Sequence, residues 1–146
     1  MHPTDAALVE RGQASRDWSI TPHPFQHVLY WLFVHGVPDT IPATTVDREV
    51  TDGDVIPVAG GLKVVHVPGH CAGQMALVWP NGGVLFAADA ALSLLGRPLR
   101  SVVYEDREQG RDDLRRLGTL DVETAVFGHG TPITKNAAER FQAAFS

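Results

Sequence analysis

Hydrophobic positions along the chain change period twice. In the first 35 residues they recur at helical spacing. Thr4 or Asp5 can cap a short helix through Arg11 that Gly12 closes. Residues 12–21 are polar and predict irregular chain. Pro24 suits a first helical position, and Phe25, Val28, Leu29, Trp31 and Leu32 form a stripe that stops at Gly36-Val37-Pro38, so a helix is expected over 24–35. Phe25, Tyr30, Trp31 and Phe33 occupy more than one of its faces, a pattern that predicts burial on most sides.

From residue 46 the period shortens. The runs 46–50, 55–58, 62–67, 75–79 and 84–88 are short and rich in β-branched residues. They are separated by Asp52-Gly53-Asp54, Gly60-Gly61, the segment 68–73 and Asn81-Gly82-Gly83, all of them turn chemistry. An antiparallel meander is expected here. Helical spacing returns over 106–117, then a strand at 124–127, a Gly-His-Gly loop and a last helix over 136–145. Helices that follow a sheet in this order predict an α/β fold with one sheet face covered.

A chain of 146 residues with 44% hydrophobic content fits one domain spanning 1–146. Its 12 basic and 17 acidic residues give a net charge of −5, without the basic footprint that tracks nucleic acid. The apolar stretch 25–37 contains Gln26, His27 and His35 and is too short to cross a bilayer as a helix, so no membrane span is expected. One cysteine, Cys71, and a start without a basic, apolar leader predict a cytoplasmic protein.

Candidate chemistry sits at strand ends. His70 closes the 62–67 strand and its Pro-Gly turn, Asp89 closes 84–88, and His129 follows 124–127. Groups just beyond strand ends share a rim of the sheet, and two imidazoles with a carboxylate suit Zn²⁺ or another first-row metal. Among the other candidates, His66 is read as a packed core histidine by strand alternation, and Cys71 as a small buried side chain. His27 and His35 are read as helix-surface residues. Arg107, Arg111, Arg115 and Arg116, interleaved with Asp106, Glu108, Asp112 and Asp113, read as a solvated helix face with i,i+4 pairs.

Three motifs carry a resemblance. Pro68-Gly69-His70-Cys71-Ala72-Gly73 looks like the P-G-H-T-P-G turn of metallo-β-lactamase-fold hydrolases, and Leu85-Phe86-Ala87-Ala88-Asp89 resembles their L-F-x-G-D strand end. Gly128-His129-Gly130-Thr131-Pro132 is similar to their closing G-H-G-x-P loop. The resemblance implies part of an αββα sandwich, an antiparallel meander followed by helix-strand-helix. It also implies metal ligands at His70, Asp89 and His129, with Asp89 bridging two ions as the catalytic carboxylate. One or two Zn²⁺ would then activate a water against an ester, thioester, lactone or similar bond of a small-molecule substrate. Phe25, Tyr30 and Trp31 fall where the family borders its substrate pocket and are candidate substrate contacts.

Two departures matter. No His-x-His pair exists in the sequence, so the family's leading H-x-H-x-D-H motif is absent, and each ion is left with one histidine and a shared aspartate. The chain therefore reads as an N-terminally truncated domain with impaired activity, as a fragment of a longer enzyme, or as a remnant acting in binding or oligomerisation. A bared sheet predicts a homo-oligomer. The second departure is Ala88, which stands where the family has glycine.

Overall fold

The computed structural model describes all 146 residues. Its centre is a five-stranded sheet ordered β2-β3-β4-β5-β9, built from Val55–Ile56, Leu62–His66, Met75–Trp79, Val84–Ala88 and Thr124–Phe127. Neighbours β2 to β5 run antiparallel, as the turn residues predict. Strand β9 joins β5 in parallel, after a crossover that contains a helix. That helix, α3 (Arg107–Gly118), and the last one, α4 (Ala137–Phe145), cover one face of the sheet.

Strand alternation decides which side chains meet those helices. Val65, Ala76, Val78, Leu85, Ala87 and Ala125 point beneath them and are buried with Leu114, Leu117 and Phe141. Met75, Leu77, Trp79, Val84 and Val126 point the other way and are only half-buried, while Phe86 among them is exposed. The covered face is the main core; on the opposite face Val64 is buried too, His66 stacks on His2, and Phe86 is exposed.

Helix starts follow local chemistry. Asp106 accepts from the backbone N–H groups of Glu108 and Gln109 at 3.0 and 2.9 Å and caps α3. The first helix, α1 (Pro3–Val9), is capped by His2, whose Nδ1 accepts from Thr4 N, rather than by Thr4 or Asp5. Pro3 then fills the first turn, and Asp5 is free for a long-range role described below. In the same way His23 caps α2 (Pro24–Leu29), which continues as a π-helical turn over Tyr30–Val34.

Several expectations are corrected here. The aromatic helix is not buried: Trp31, Leu32 and Phe33 are each more than 60% exposed, and Phe25 and Val28 are exposed too. Trp31 stacks on His35 instead, with ring centroids 4.1 Å apart. The run 46–50 forms no strand; Val50 is buried, but its N–H donates to the Met1 carbonyl, so the segment is tied to the N-terminus. Residues 12–21 are not wholly irregular, since β1 (Ser19–Ile20) pairs with β8 (Val103–Tyr104).

A hairpin of β6 (Ala91–Leu94) and β7 (Arg97–Arg100) also appears where no strand was expected. Its two-residue turn, Leu95-Gly96, has positive φ at both positions, 50° and 74°. A type I′ turn needs that geometry and usually advertises it with Asn or Gly first. Leucine hides the signal.

Asp113 is the other correction. It is not on a solvated helix face but 3% exposed, while Arg116 leaves the helix to grip Asp52 at 2.8 and 2.9 Å. Only Arg115 with Asp112 makes a local pair, at i,i+3. Against the upward push of burial, the His66 N–H and the Arg116 guanidinium hold the Asp52 carboxyl below the usual aspartate range. A carboxyl whose folded pKa is lowered contributes stability that is complete above its ordinary value of 3.8 and is lost as pH falls through the folded value. The melting temperature should therefore fall more steeply between about pH 4 and pH 2.5 in the native chain than in Asp52→Asn, as followed by circular dichroism.

Candidate active site

The turn 68–73 is held by carboxylates that converge from distant parts of the chain. Asp113 Oδ2 accepts from Gly69 N at 2.8 Å, Glu105 Oε2 from Ala72 N at 2.7 Å, and Asp5 Oδ1 from Gly73 N at 3.1 Å. Arg16 lies between two of them, 2.9 Å from Asp5 and 3.4 Å from Glu105. Return bonds run from Glu105 N to the His70 carbonyl and from Asp106 N to the Gly69 carbonyl. The links to the turn itself pair its backbone groups with carboxylates or other backbone groups, and those with an ionised partner are the stronger kind of hydrogen bond.

This frame fixes His70. Its Nδ1 lies 2.9 Å from the Val103 carbonyl and 3.1 Å from Ser101 Oγ, and its ring meets Tyr104 edge-on. A carbonyl only accepts, so in the neutral ring Nδ1 carries the proton and Nε2 keeps its lone pair. That is the tautomer a metal-binding or basic histidine needs. Burial pushes the Tyr104 hydroxyl up to about 12, so it remains a donor, to the Ala90 carbonyl, while accepting from Ser101 N.

Cys71 is half-buried rather than fully buried. Burial and then the Asp5 charge push its thiol up to about 12, and it points at Asp5 Oδ2 from 3.3 Å. His66 is half-buried, not packed in the core. It stacks on His2 at 4.0 Å, and its Nε2 lies 2.9 Å from the Ala72 carbonyl.

Asp89 and His129 are adjacent. His129 Nε2 is 3.6 Å from Asp89 Oδ1, too far for a hydrogen bond, and that oxygen is buried without any partner. Gly128 makes the approach possible, because a Cβ there would overlap Asp89 Oδ1. The loop is clamped to β6 by Ser93 N donating to the His129 carbonyl, and Gly130, at φ +103°, leaves no room for a Cβ against Ser93 O. Ala88 takes a φ of +48°, a left-handed conformation that favours glycine and costs an alanine about 1 kcal/mol. The departure from glycine is thus a strained position directly before Asp89.

The donor chemistry suits a metal, but the number does not. An orphan carboxylate oxygen beside an exposed imidazole, and a histidine with its Nε2 unprotonated, are groups that coordinate cations. No three of the chain's His, Cys, Asp and Glu side chains gather closely enough to enclose an ion. By themselves these residues do not make a metal centre. Phe25 and Trp31 are exposed and Tyr30 is half-exposed on the α2 segment.

The frame residues Asp5, Arg16, Glu105 and Asp113 were not singled out from sequence. Asp5 read as a cap, Arg16 as part of an irregular segment and Asp113 as a surface charge, and no local pattern links positions up to 89 residues apart.

Comparison with known proteins gives the family. The model of the metallo-beta-lactamase superfamily matches residues 7–129, and the chain belongs to that superfamily. Among curated proteins it is 28% identical to hydroxyacylglutathione hydrolase of Cereibacter sphaeroides, over 85% of this chain and 51% of that one. It is 27% identical to the lactamase-like protein aptB of Emericella nidulans, over 86% and 48%. The chain spans about half the length of these relatives. Among solved structures, a metallo-beta-lactamase family protein of Thermus thermophilus superposes with TM-score 0.57 at 30% identity, covering 84% of this chain and 46% of that one. The BLEG-1 B3 metallo-beta-lactamase shares the fold at TM-score 0.62 and 19% identity, over 95% and 60%. No helix is long and apolar enough to cross a membrane.

Proposed function

We propose that these residues form one half of a metal-dependent hydrolase site, with His70, Asp89 and His129 as its donors and the remaining donors supplied by polypeptide outside these 146 residues. The observation that carries this is the buried, partnerless Asp89 Oδ1 beside His129. A native carboxylate oxygen left bare inside a protein is costly, on the order of 1–3 kcal/mol, unless a cation or donor reaches it. The coverage of about half of each relative supports a site shared with a further segment. Its substrate class is a small molecule with an ester, thioester or lactone bond, a thioester being favoured by the hydroxyacylglutathione hydrolases among the relatives. Zinc is the expected ion, since imidazole and carboxylate donors suit it.

The metal, when bound, would supply an activated water. This chain's own part is to hold the His70 tautomer through Val103 and Ser101 and to set Asp89 Oδ1 against Gly128. A second reading, a non-catalytic module that docks another chain or a second copy, is favoured by the exposed Phe86 of the sheet and the exposed Trp31, Leu32 and Phe33.

One experiment separates the two. The coding sequence is read upstream of Met1 for an in-frame H-x-H-x-D-H, and the longest encoded product is assayed with a hydroxyacylglutathione and with p-nitrophenyl acetate in Zn²⁺. The hydrolase reading expects turnover that drops by about 100-fold or more in Asp89→Asn. Absence of the motif, or turnover indifferent to Asp89, sinks it and leaves the docking module.

A further inference from the structure

Between α2, β7 and the C-terminal end of α4 lies a cavity of about 740 Å³. That volume is within the range of small-ligand sites, roughly 300–1,000 Å³. Its charge runs against that of the whole chain, which is −5: Arg97, Arg100, Arg140 and His23 line it, and no acidic side chain does. None of the three cavity arginines has a carboxylate within 4.0 Å, as is also true of Arg11, Arg48, Arg107 and Arg111, but here three such arginines line one cavity. Arg140 spends one N–H on the Gly96 carbonyl, which fixes the hairpin tip, and the Arg97 and Arg100 guanidiniums have no side-chain partner at all.

The rest of the wall is apolar, chiefly Phe25, Leu99 and Phe145. Gln26 stands in the same wall, 6% exposed; its Nε2 donates to the Arg100 carbonyl, and its Oε1 is a buried acceptor without a donor. Cationic groups without counter-charges, an apolar body of wall and one bare acceptor describe a complementary molecule. We infer that this cavity binds a small organic acid: a carboxylate at the cationic wall that Arg97, Arg100 and Arg140 line, an apolar body against Phe25 and Phe145, and an N–H group for Gln26.

The inference does not rest on the hydrolase reading. The cavity and the histidine turn are joined through residues 101–103: the Ser101 carbonyl accepts from Thr21 Oγ1 at 2.7 Å and its hydroxyl lies 3.1 Å from His70 Nδ1, while the Val102 carbonyl accepts from Thr21 N.

The probe pair is N-acetylphenylalanine and its neutral amide, N-acetylphenylalaninamide, titrated into the full chain and followed by backbone and arginine side-chain amide shifts. The acid should bind at this wall about tenfold more tightly than the amide, the worth of about 1.4 kcal/mol from two exposed charge contacts. The double variant R97Q/R100Q, whose side chains make no bond the fold needs, should keep its melting temperature and lose that tenfold preference. Gln26→Leu should weaken both probes alike. Equal binding of acid and amide, an undiminished preference in the double variant, or no shifts up to 20 mM acid (a ceiling on the order of the weakest useful affinity) would each overturn the assignment.

Discussion

Phe141→Ala should cost about 3–5 kcal/mol of folding stability, the range for truncating a fully buried aromatic side chain. Phe141 is 0% exposed, stacked on Phe127 with centroids 6.0 Å apart and tilted against Phe145 at 5.8 Å. It comes from α4 and meets the end of β9, so it joins the helical layer to the strand that delivers Gly128 and His129. Urea unfolding followed by circular dichroism reads the loss as a lower midpoint with unchanged slope. A cost below about 1 kcal/mol would mean that α4 is not part of the core.

Gly69→Ala should rank next, at about 3 kcal/mol, because overpacking a contact between two backbones leaves nothing flexible to give way. A Cβ at Gly69 would overlap the backbone of Gly110, and a Cβ at Gly110 would overlap the Tyr104 ring. This glycine crossing lets α3 lie against the histidine turn, close enough for Asp113 to accept from Gly69 N. The substitution therefore also strips a buried N–H of its partner. Gly36→Ala is the control: its φ is +84° with nothing within 4 Å of the added carbon, so only backbone strain of about 1–2 kcal/mol is expected. If both variants lose the same stability, the crossing is not what places the turn.

Much of this arrangement could be read from the chain alone. The meander followed from Gly-Gly and Asn-Gly turns between β-branched runs, although the Asn81 turn proved to be a 3₁₀ turn over Pro80–Gly82 closed by left-handed Gly83. Helices α3 and α4 follow from their period, and the resemblance, with glycine in place of Ala88, points to the positive φ that Ala88 adopts. The β6–β7 hairpin was hidden by leucine in a turn position that favours Asn or Gly. The aromatic helix is exposed despite its pattern because apolar content predicts burial only where another layer exists to receive it. The site divides along the same line: His70, Asp89 and His129 stand in local motifs, whereas the carboxylates that hold the His70 turn act across the fold.

The burial of Asp113 has no local signal in the sequence. Its carboxyl is raised above the usual aspartate range by burial, with Gln109 and Gly69 opposing the shift, and nothing in an Arg-Asp-Asp-Leu-Arg-Arg stretch distinguishes it from its exposed neighbour Asp112. In the fold it is one of three carboxylates that hold the backbone of the histidine turn, and the only one fully buried.

The central claim is that this chain presents His70, Asp89 and His129 in a form ready for a metal yet does not close a metal site alone. Calorimetric titration of the purified, chelator-treated chain with Zn²⁺ tests it most directly. The account predicts binding no tighter than on the order of 10 µM, about −7 kcal/mol, abolished in Asp89→Asn. Stoichiometric Zn²⁺ held with a dissociation constant near 1 nM, about −12 kcal/mol, would contradict it.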